Sequence, residues 1–284
     1  MRTAGVNVFT RYTGDLEGIV PYCYLDILGL VTVAIGNLVD PMSAALSLPM
    51  VHADGSPADR AEIAAEWQTL KAMWCGTKVG AAKCPWRGVK TCLAHLGHLA
   101  AKRVAKLYLT PEGVAGVVGA KLAQNNAALV KRCPDFEDWP VDAQLGLHSW
   151  AWAVGSAAVF PRFIAALNDR DFDEAVKHCH INEDGPDRIP GTADDNWGLK
   201  PRNVANKIMF ANAAKVQNFK LDPDELLYDV THAPHVGPTN VPPVDHVAPR
   251  QSWVNPNSEE ALGSGGIIHP PIYDEDWVRP LGDE

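Results

Sequence analysis

The chain has 284 residues, of which 46% are hydrophobic and 21% are charged, and its formal net charge at pH 7 is -9. This apolar content is enough for a sizeable core in one or two lobes. Lys and Arg are scattered, with no basic stripe beside aromatic residues, which argues against a nucleic-acid partner. The longest apolar run, 145–160, is too short for a bilayer, so no membrane span is predicted.

Two short strands are predicted near the N-terminus, over 22–26 and 30–35, because both stretches are rich in β-branched or aromatic residues and a glycine-containing turn separates them. Glu17 precedes the first strand, Asp26 follows nine residues later, and Thr32 lies six residues further on. We expect the strands to present these side chains around one cleft. Two carboxylates across a cleft suit glycosidic bond cleavage, since one protonates the leaving oxygen while the other acts on the attacking side.

Helices are predicted along the rest of the chain from capping residues and from apolar residues that recur on one face. Ser56, followed by a proline and an acid, predicts the start of one helix, and 110–112 predicts the start of another. The run 145–160 is typical of a core helix that is buried on nearly all sides. Further helices are expected to begin at 201–203 and, briefly, at 222–225. The chain is therefore predicted as an α+β fold, mostly α, with one small sheet.

The composition changes after about residue 217. Residues 231–284 hold nine prolines and show little helical period, so this segment cannot form a core of its own. It either wraps the preceding domain or docks onto a partner through its aromatic residues. We therefore predict a Pro-rich C-terminal extension over 219–284.

Three groups of residues carry the ligand types of metal sites. The acidic loop 182–195 has carboxylates that suit calcium, although it lacks full EF-hand spacing, and a solvated loop is the alternative. Cys92, His95 and His98, and likewise 178–180, lack the second ligand pair of a structural zinc site. No cofactor is therefore predicted, with calcium kept as an alternative. The calcium candidates are Asp184, Asp187, Asp194 and Asp195.

The N-terminal spacing resembles the catalytic region of phage-type lysozymes, glycoside hydrolase family 24. The matching residues are Glu17, Asp26, Thr32 and Gly36. The family usually has glycine where Ala34 stands and histidine where Asn37 stands. A second stretch, 139–203, follows the order of the family's C-terminal lobe. The resemblance covers roughly residues 5 to 218 and leaves an insertion near 55–105.

This resemblance implies a lysozyme-like two-lobed fold over 1–218, with a small β-hairpin sheet at the cleft and a helical C-terminal lobe. It implies that Glu17 is the acid, that Asp26 stabilises charge on the sugar and that Thr32 orients water. Arg202 is expected to approach Glu17. Inversion is implied, which places the two carboxyl groups about 6.5 to 9.5 Å apart. The implied substrate-binding residues are Trp152, Phe160, Phe163 and Arg202.

The implied activity is that of a muramidase, which hydrolyses the β-1,4 bond between N-acetylmuramic acid and N-acetylglucosamine in peptidoglycan. The start of the sequence lacks the apolar run of a secretory signal, so we expect synthesis in the cytoplasm and delivery to the bacterial periplasm or cell wall. The acidic balance, the insertion and the long extension favour an antibacterial effector, with an immunity or inhibitor protein and delivery machinery as partners. The alternative is a phage endolysin.

A third hypothesis comes from another class. A non-catalytic glycan-binding protein, or a structural particle component, would keep the fold without turnover, although a pure binder has no need of an acid opposite a carboxylate. A monomer is expected, because no sustained heptad or repeat demands otherwise.

Overall fold

The computed structural model describes residues 1–26, 29–73, 98, 101–184, 188 and 199–230. Within these residues the chain is mostly helical, which confirms the predicted α+β, mostly α class, but it has two small antiparallel sheets where one was predicted. The α-helices are α1 (Thr3–Glu17), α2 (Met42–Ala45), α3 (Arg60–Ala72), α4 (Pro111–Arg132), α5 (Val141–Val154), α6 (Pro161–Asn168), α7 (Phe172–His178) and α8 (Leu199–Phe219). The strands are β1 (Val20–Leu25), β2 (Val31–Ala34), β3 (Asn37–Leu38), β4 (Met50–Val51) and β5 (Tyr108–Leu109).

The chain forms two compact units. The first unit consists of Met1–Glu17 together with the described chain from Gly119 onward, and the second consists of Gly18–Val118. Helices α1 and α5 to α8, with most of α4, build the first unit, whereas both sheets lie in the second. The described part of the chain has no helix long and apolar enough to cross a membrane.

Helix α5 is the central element of the first unit. Each of its residues from Val141 to Ala151 is buried, as the apolar run predicts. The predicted extension of this helix to residue 160 is wrong: the helix ends at Val154, and Gly155 follows with a φ of 86°. A backbone with this positive φ favours glycine and cannot continue a right-handed helix.

The sheet of the second unit confirms the predicted hairpin. Strand β1 pairs antiparallel with β2, and β2 pairs with β3. The β1–β2 connection is closed by the backbone N–H of Asp26, which donates to the carbonyl of Leu30 at 2.9 Å. Val31 and Val33 are fully buried, so β-branched residues of β2 fill the interior of this unit.

Two predicted helix starts are corrected by the structure. Asp59, not Ser56, caps α3: its side chain accepts from the backbone N–H of Glu62, and the Glu62 side chain accepts from the backbone N–H of Asp59. This reciprocal pair satisfies two N–H groups that a helix start leaves free. The stretch 222–225 forms a turn rather than a short helix, closed by a hydrogen bond from the backbone N–H of Glu225 to the Asp222 carbonyl at 3.2 Å.

The first residues of the predicted extension pack onto the first unit. The buried carboxylate of Asp142 accepts from the backbone N–H of Leu227 at 2.9 Å and from the Asn212 amide at 3.0 Å. The Val141 backbone N–H donates to the carbonyl of Pro223 at 2.9 Å. The described part of the extension, up to residue 230, is thus held against the start of α5. Residues 231–284 lie outside the described residues.

Candidate active site

Glu17 is the last residue of α1, and Gly18 with a φ of 77° follows it. Its side chain is 13% exposed, and its Oε1 accepts a hydrogen bond from Nη2 of Arg202. The predicted approach of Arg202 to Glu17 is therefore present, across a sequence separation of 185 residues. Among the described residues, no protein group hydrogen bonds to the second carboxyl oxygen, Oε2. Oε1 of the carboxyl group is thus held by the Arg202 guanidinium.

Arg202 lies in the first turn of α8 and is only 1% exposed. Its Nη1 donates to the carbonyl oxygen of Ser149 at 2.7 Å and to the Ser149 Oγ at 3.1 Å. A guanidinium removed from water needs such acceptors, because an uncompensated buried charge is costly. The side chain of Arg202 has almost no accessible surface and holds the carboxyl group of Glu17, so a direct contact of Arg202 with substrate stays a prediction.

A hydrogen bond between Tyr12 and Ser149 extends this cluster. The Tyr12 hydroxyl and Ser149 Oγ lie 2.9 Å apart, and both side chains are buried. Burial raises the pKa of Tyr12 to about 12, so the phenol is neutral at physiological pH. Sequence reasoning did not assign either residue to the site. The available signal was a serine inside the apolar run that forms α5.

Asp26 and Thr32 lie in the second unit, on either side of the β1–β2 connection. Oδ1 of Asp26 accepts from the backbone N–H of Leu30 at 2.8 Å, and Oγ1 of Thr32 donates to the Leu30 carbonyl at 3.2 Å. The backbone of Leu30 therefore fixes both side chains, with Thr32 5% exposed. Glu17 belongs to the first unit, so the separation of the two carboxyl groups stays a prediction.

The aromatic residues expected to bind substrate differ in burial. Phe163 is 1% exposed and packs between Trp150 and Phe210, at ring-centroid distances of 5.2 and 5.3 Å. This ring is part of the core, and the predicted contact of Phe163 with substrate stays a prediction. Trp152 and Phe160 are only partly buried, so a substrate contact by either stays a prediction.

No protein-family model matches the chain, and neither a curated protein nor a solved structure is significantly similar to it. Ala34, where the sequence departs from the lysozyme spacing, has a φ of 58°, a backbone conformation that favours glycine. At the other departure, Asn37 is 5% exposed, and its side-chain amide lies 3.5 Å from the carbonyl oxygen of Val117.

The candidate metal ligands are not assembled in the part of the chain that is described. There, no group of three or more His, Cys, Asp or Glu side chains is placed to hold a metal ion. His178 pairs with Glu174 at 2.9 Å, and His180 pairs with Glu183 at 3.1 Å, while Cys179 is buried. The candidate ligands that lie outside the described residues are Asp187, Asp194, Asp195, Cys92 and His95.

Proposed function

We propose that the chain is a peptidoglycan muramidase in which Glu17 is the general acid. Glu17 gives its proton to the glycosidic oxygen between N-acetylmuramic acid and N-acetylglucosamine as the bond to the sugar ring breaks. The guanidinium of Arg202 then stabilises the carboxylate that remains on Glu17. Proton transfer of this kind contributes roughly 10²- to 10⁴-fold to the rate of an enzyme.

The observation that carries the proposal is the contact between Glu17 and Arg202. A surface glutamate at the end of a helix needs no buried partner, whereas this one is held through a single oxygen by a guanidinium that is 1% exposed. Holding one oxygen orients the carboxyl group, and the 13% exposure of the side chain leaves it within reach of a substrate. A fixed carboxyl group with accessible surface can meet a substrate, which a fully buried ion pair cannot.

Asp26 and Thr32 supply the remaining roles in this proposal. Asp26, ionised, stabilises the positive charge that develops on the sugar ring, and it accepts a proton from the attacking water. The Thr32 hydroxyl donates to the Leu30 carbonyl, so its oxygen keeps a lone pair that accepts from the same water. Because the Leu30 backbone holds both side chains, their relative position is set before substrate binds.

Digestion of purified peptidoglycan tests the proposal. We expect the wild type, but not Glu17→Gln, to release muropeptides with a reducing N-acetylmuramic acid end, identified by mass spectrometry. Glu112→Gln is the matched control, because Glu112 is exposed in the first turn of α4. Equal cleavage by Glu17→Gln and wild type would refute Glu17 as the acid. Saccharide binding without cleavage by either protein would favour the glycan-binding alternative.

The stereochemistry of the product tests the inverting mechanism separately. Hydrolysis of a β-1,4 bond with inversion yields the α-anomer first, which proton NMR detects before mutarotation. A crystal structure with a bound saccharide would test the expected carboxyl separation of about 6.5 to 9.5 Å. A separation near 5 Å with an initial β-anomer would establish a retaining enzyme instead.

We propose delivery into competing bacteria as the biological role, with a phage endolysin as the alternative. The net charge of -9 favours delivery into a confined compartment, because anionic cell walls repel an acidic enzyme in free solution. The neighbouring genes discriminate between the roles. A gene for a small secreted inhibitor supports the effector, and a gene for a holin-like membrane protein supports the endolysin.

A further inference from the structure

We propose that Ser149 and Tyr12 are positioning residues that aim the Arg202 guanidinium at the acid Glu17. This inference rests on the proposed function, since it assigns to the two buried hydroxyl groups a part in the same proton transfer. Neither hydroxyl touches substrate in this scheme, and both act through Arg202. All four residues lie in the first unit of the chain.

Because the guanidinium of arginine is rigid, Ser149 sets the direction in which Arg202 points. The guanidinium is planar and rigid, so fixing Nη1 and the plane of the group also fixes Nη2. Nη1 is fixed by two acceptors on one residue, the carbonyl oxygen of Ser149 at 2.7 Å and its Oγ at 3.1 Å. Nη2 then points at Oε1 of Glu17. The position of a serine on α5 therefore determines where the carboxyl oxygen is held.

Tyr12 determines the orientation of the Ser149 hydroxyl. The two oxygens lie 2.9 Å apart, and this is the one hydrogen bond of the Tyr12 hydroxyl within the described chain. The ring of Tyr12 is itself fixed, because it is 1% exposed and meets the ring of Tyr228 edge-on at a centroid distance of 5.8 Å. A serine hydroxyl that rotates freely would keep its lone pairs on Nη1 only part of the time.

The hydroxyl groups of Ser149 and Tyr12 are not needed for packing. Ser149 and Tyr12 could pack as alanine and phenylalanine, and the backbone carbonyl of residue 149 would still accept from Arg202. The hydroxyl groups orient the guanidinium. Ser149 Oγ is a second acceptor for Nη1 of Arg202, and the Tyr12 hydroxyl orients Ser149 Oγ. A role in positioning predicts changes in the guanidinium and in turnover that lost packing does not.

The test compares Tyr12→Phe and Ser149→Ala with the wild type and with Tyr228→Phe. Tyr228→Phe is the matched control, because the Tyr228 hydroxyl is buried beside Tyr12 and has no hydrogen-bond partner within the described residues. One measurement is independent of activity: nitrogen-15 NMR of the Arg202 side chain reports how fast the guanidinium rotates. The second measurement is the separate determination of kcat and KM on a soluble peptidoglycan fragment.

We expect separate Nη1 and Nη2 signals for Arg202 in the wild type and in Tyr228→Phe. Exchange between the signals should be faster in Tyr12→Phe and fastest in Ser149→Ala. We expect kcat to fall by about tenfold in Ser149→Ala and less in Tyr12→Phe, with KM unchanged, because a misplaced catalytic group lowers turnover. Assays run well below the unfolding temperature of each variant remove any contribution from lost stability.

Wild-type Arg202 signals and wild-type kcat in both variants would overturn the inference while leaving the muramidase intact. A lower unfolding temperature with unchanged kcat would also overturn it, since the hydroxyl groups would then serve stability alone. Failure of the wild type to cleave peptidoglycan would instead refute the proposed function. The NMR comparison would still decide whether Ser149 and Tyr12 hold the guanidinium.

Discussion

His148 is a buried histidine whose protonation we expect to weaken the first unit in acid. It lies on α5 with no exposed surface, and its Nε2 lies 3.2 Å from Oδ1 of Asn126. The rings of Phe9 and Phe136 meet it edge-on, at centroid distances of 6.0 and 5.5 Å. Burial in these surroundings lowers the pKa of His148 to about 3.

The sign and size of the effect follow from linkage between protonation and folding. An unfolded histidine titrates at about 6.5, so between pH 6.5 and 3 the unfolded chain binds a proton that the folded chain excludes. The stabilisation is therefore present above pH 6.5 and is lost as the pH falls. The free energy of unfolding should decrease by about 2 kcal/mol between pH 7 and 5, and by about 3 kcal/mol at pH 4.

Urea unfolding of the wild type and His148→Gln at pH 7, 6 and 5 measures this effect. Glutamine keeps an N–H for Asn126 but takes no proton, so the difference between the two proteins isolates the histidine. The comparison is needed because burial raises the pKa of the Asp142 carboxyl in both proteins. A raised carboxyl pKa increases stability as the pH falls, which opposes the effect of the histidine. His52→Gln is the control, since His52 is a partly exposed histidine beside Glu62. An equal loss of stability with acid in wild type and His148→Gln would refute the reasoning.

Two further predictions concern the boundaries of α5. Asp142→Ala should lower the free energy of unfolding by about 2 to 4 kcal/mol, because the buried Asn212 amide and the partly buried Leu227 N–H lose their acceptor. Limited proteolysis should then cut 221–230 faster, and unchanged cleavage would contradict this. Gly155→Ala should lower the free energy of unfolding, measured by thermal unfolding, by about 1 kcal/mol or more, because the φ of Gly155 is 86°. An added Cβ would meet no atom within 4 Å, so a steric clash does not contribute. Gly116→Ala, within α4 and equally open, should instead stabilise the protein, and equal effects at both glycines would refute the conformational argument.

Sequence reasoning predicted well the elements that local chemistry specifies. Thr110 and Pro111 marked the start of α4, which begins at Pro111. The start of α3 was predicted three residues early, because Ser56 and Asp59 are both good capping residues. Ser56 instead forms a turn with the Asp54 carboxylate, at 2.9 Å from its backbone N–H, and the choice between two caps depends on such contacts.

The candidate site was harder to predict from the sequence, because most of its contacts join residues that are far apart in the chain. The spacing of Asp26 and Thr32 is local and follows from one hairpin, so the pattern could indicate it. The pair of Tyr12 and Ser149 spans 137 residues, and no local signal specifies such a contact. Phe163, which packs in the core, shows the same limit, because an aromatic residue that packs in a core and one that binds sugar look alike in a sequence.

The discontinuity of the first unit has a consequence for the order of events during synthesis. Glu17 leaves the ribosome early, but its partner Arg202 is translated 185 residues later. At about 5 to 20 residues per second, this delay lasts roughly 10 to 40 seconds. The nascent chain therefore carries Glu17 without its guanidinium partner until almost the whole first unit has been made, so the contact between Glu17 and Arg202 forms only late in synthesis.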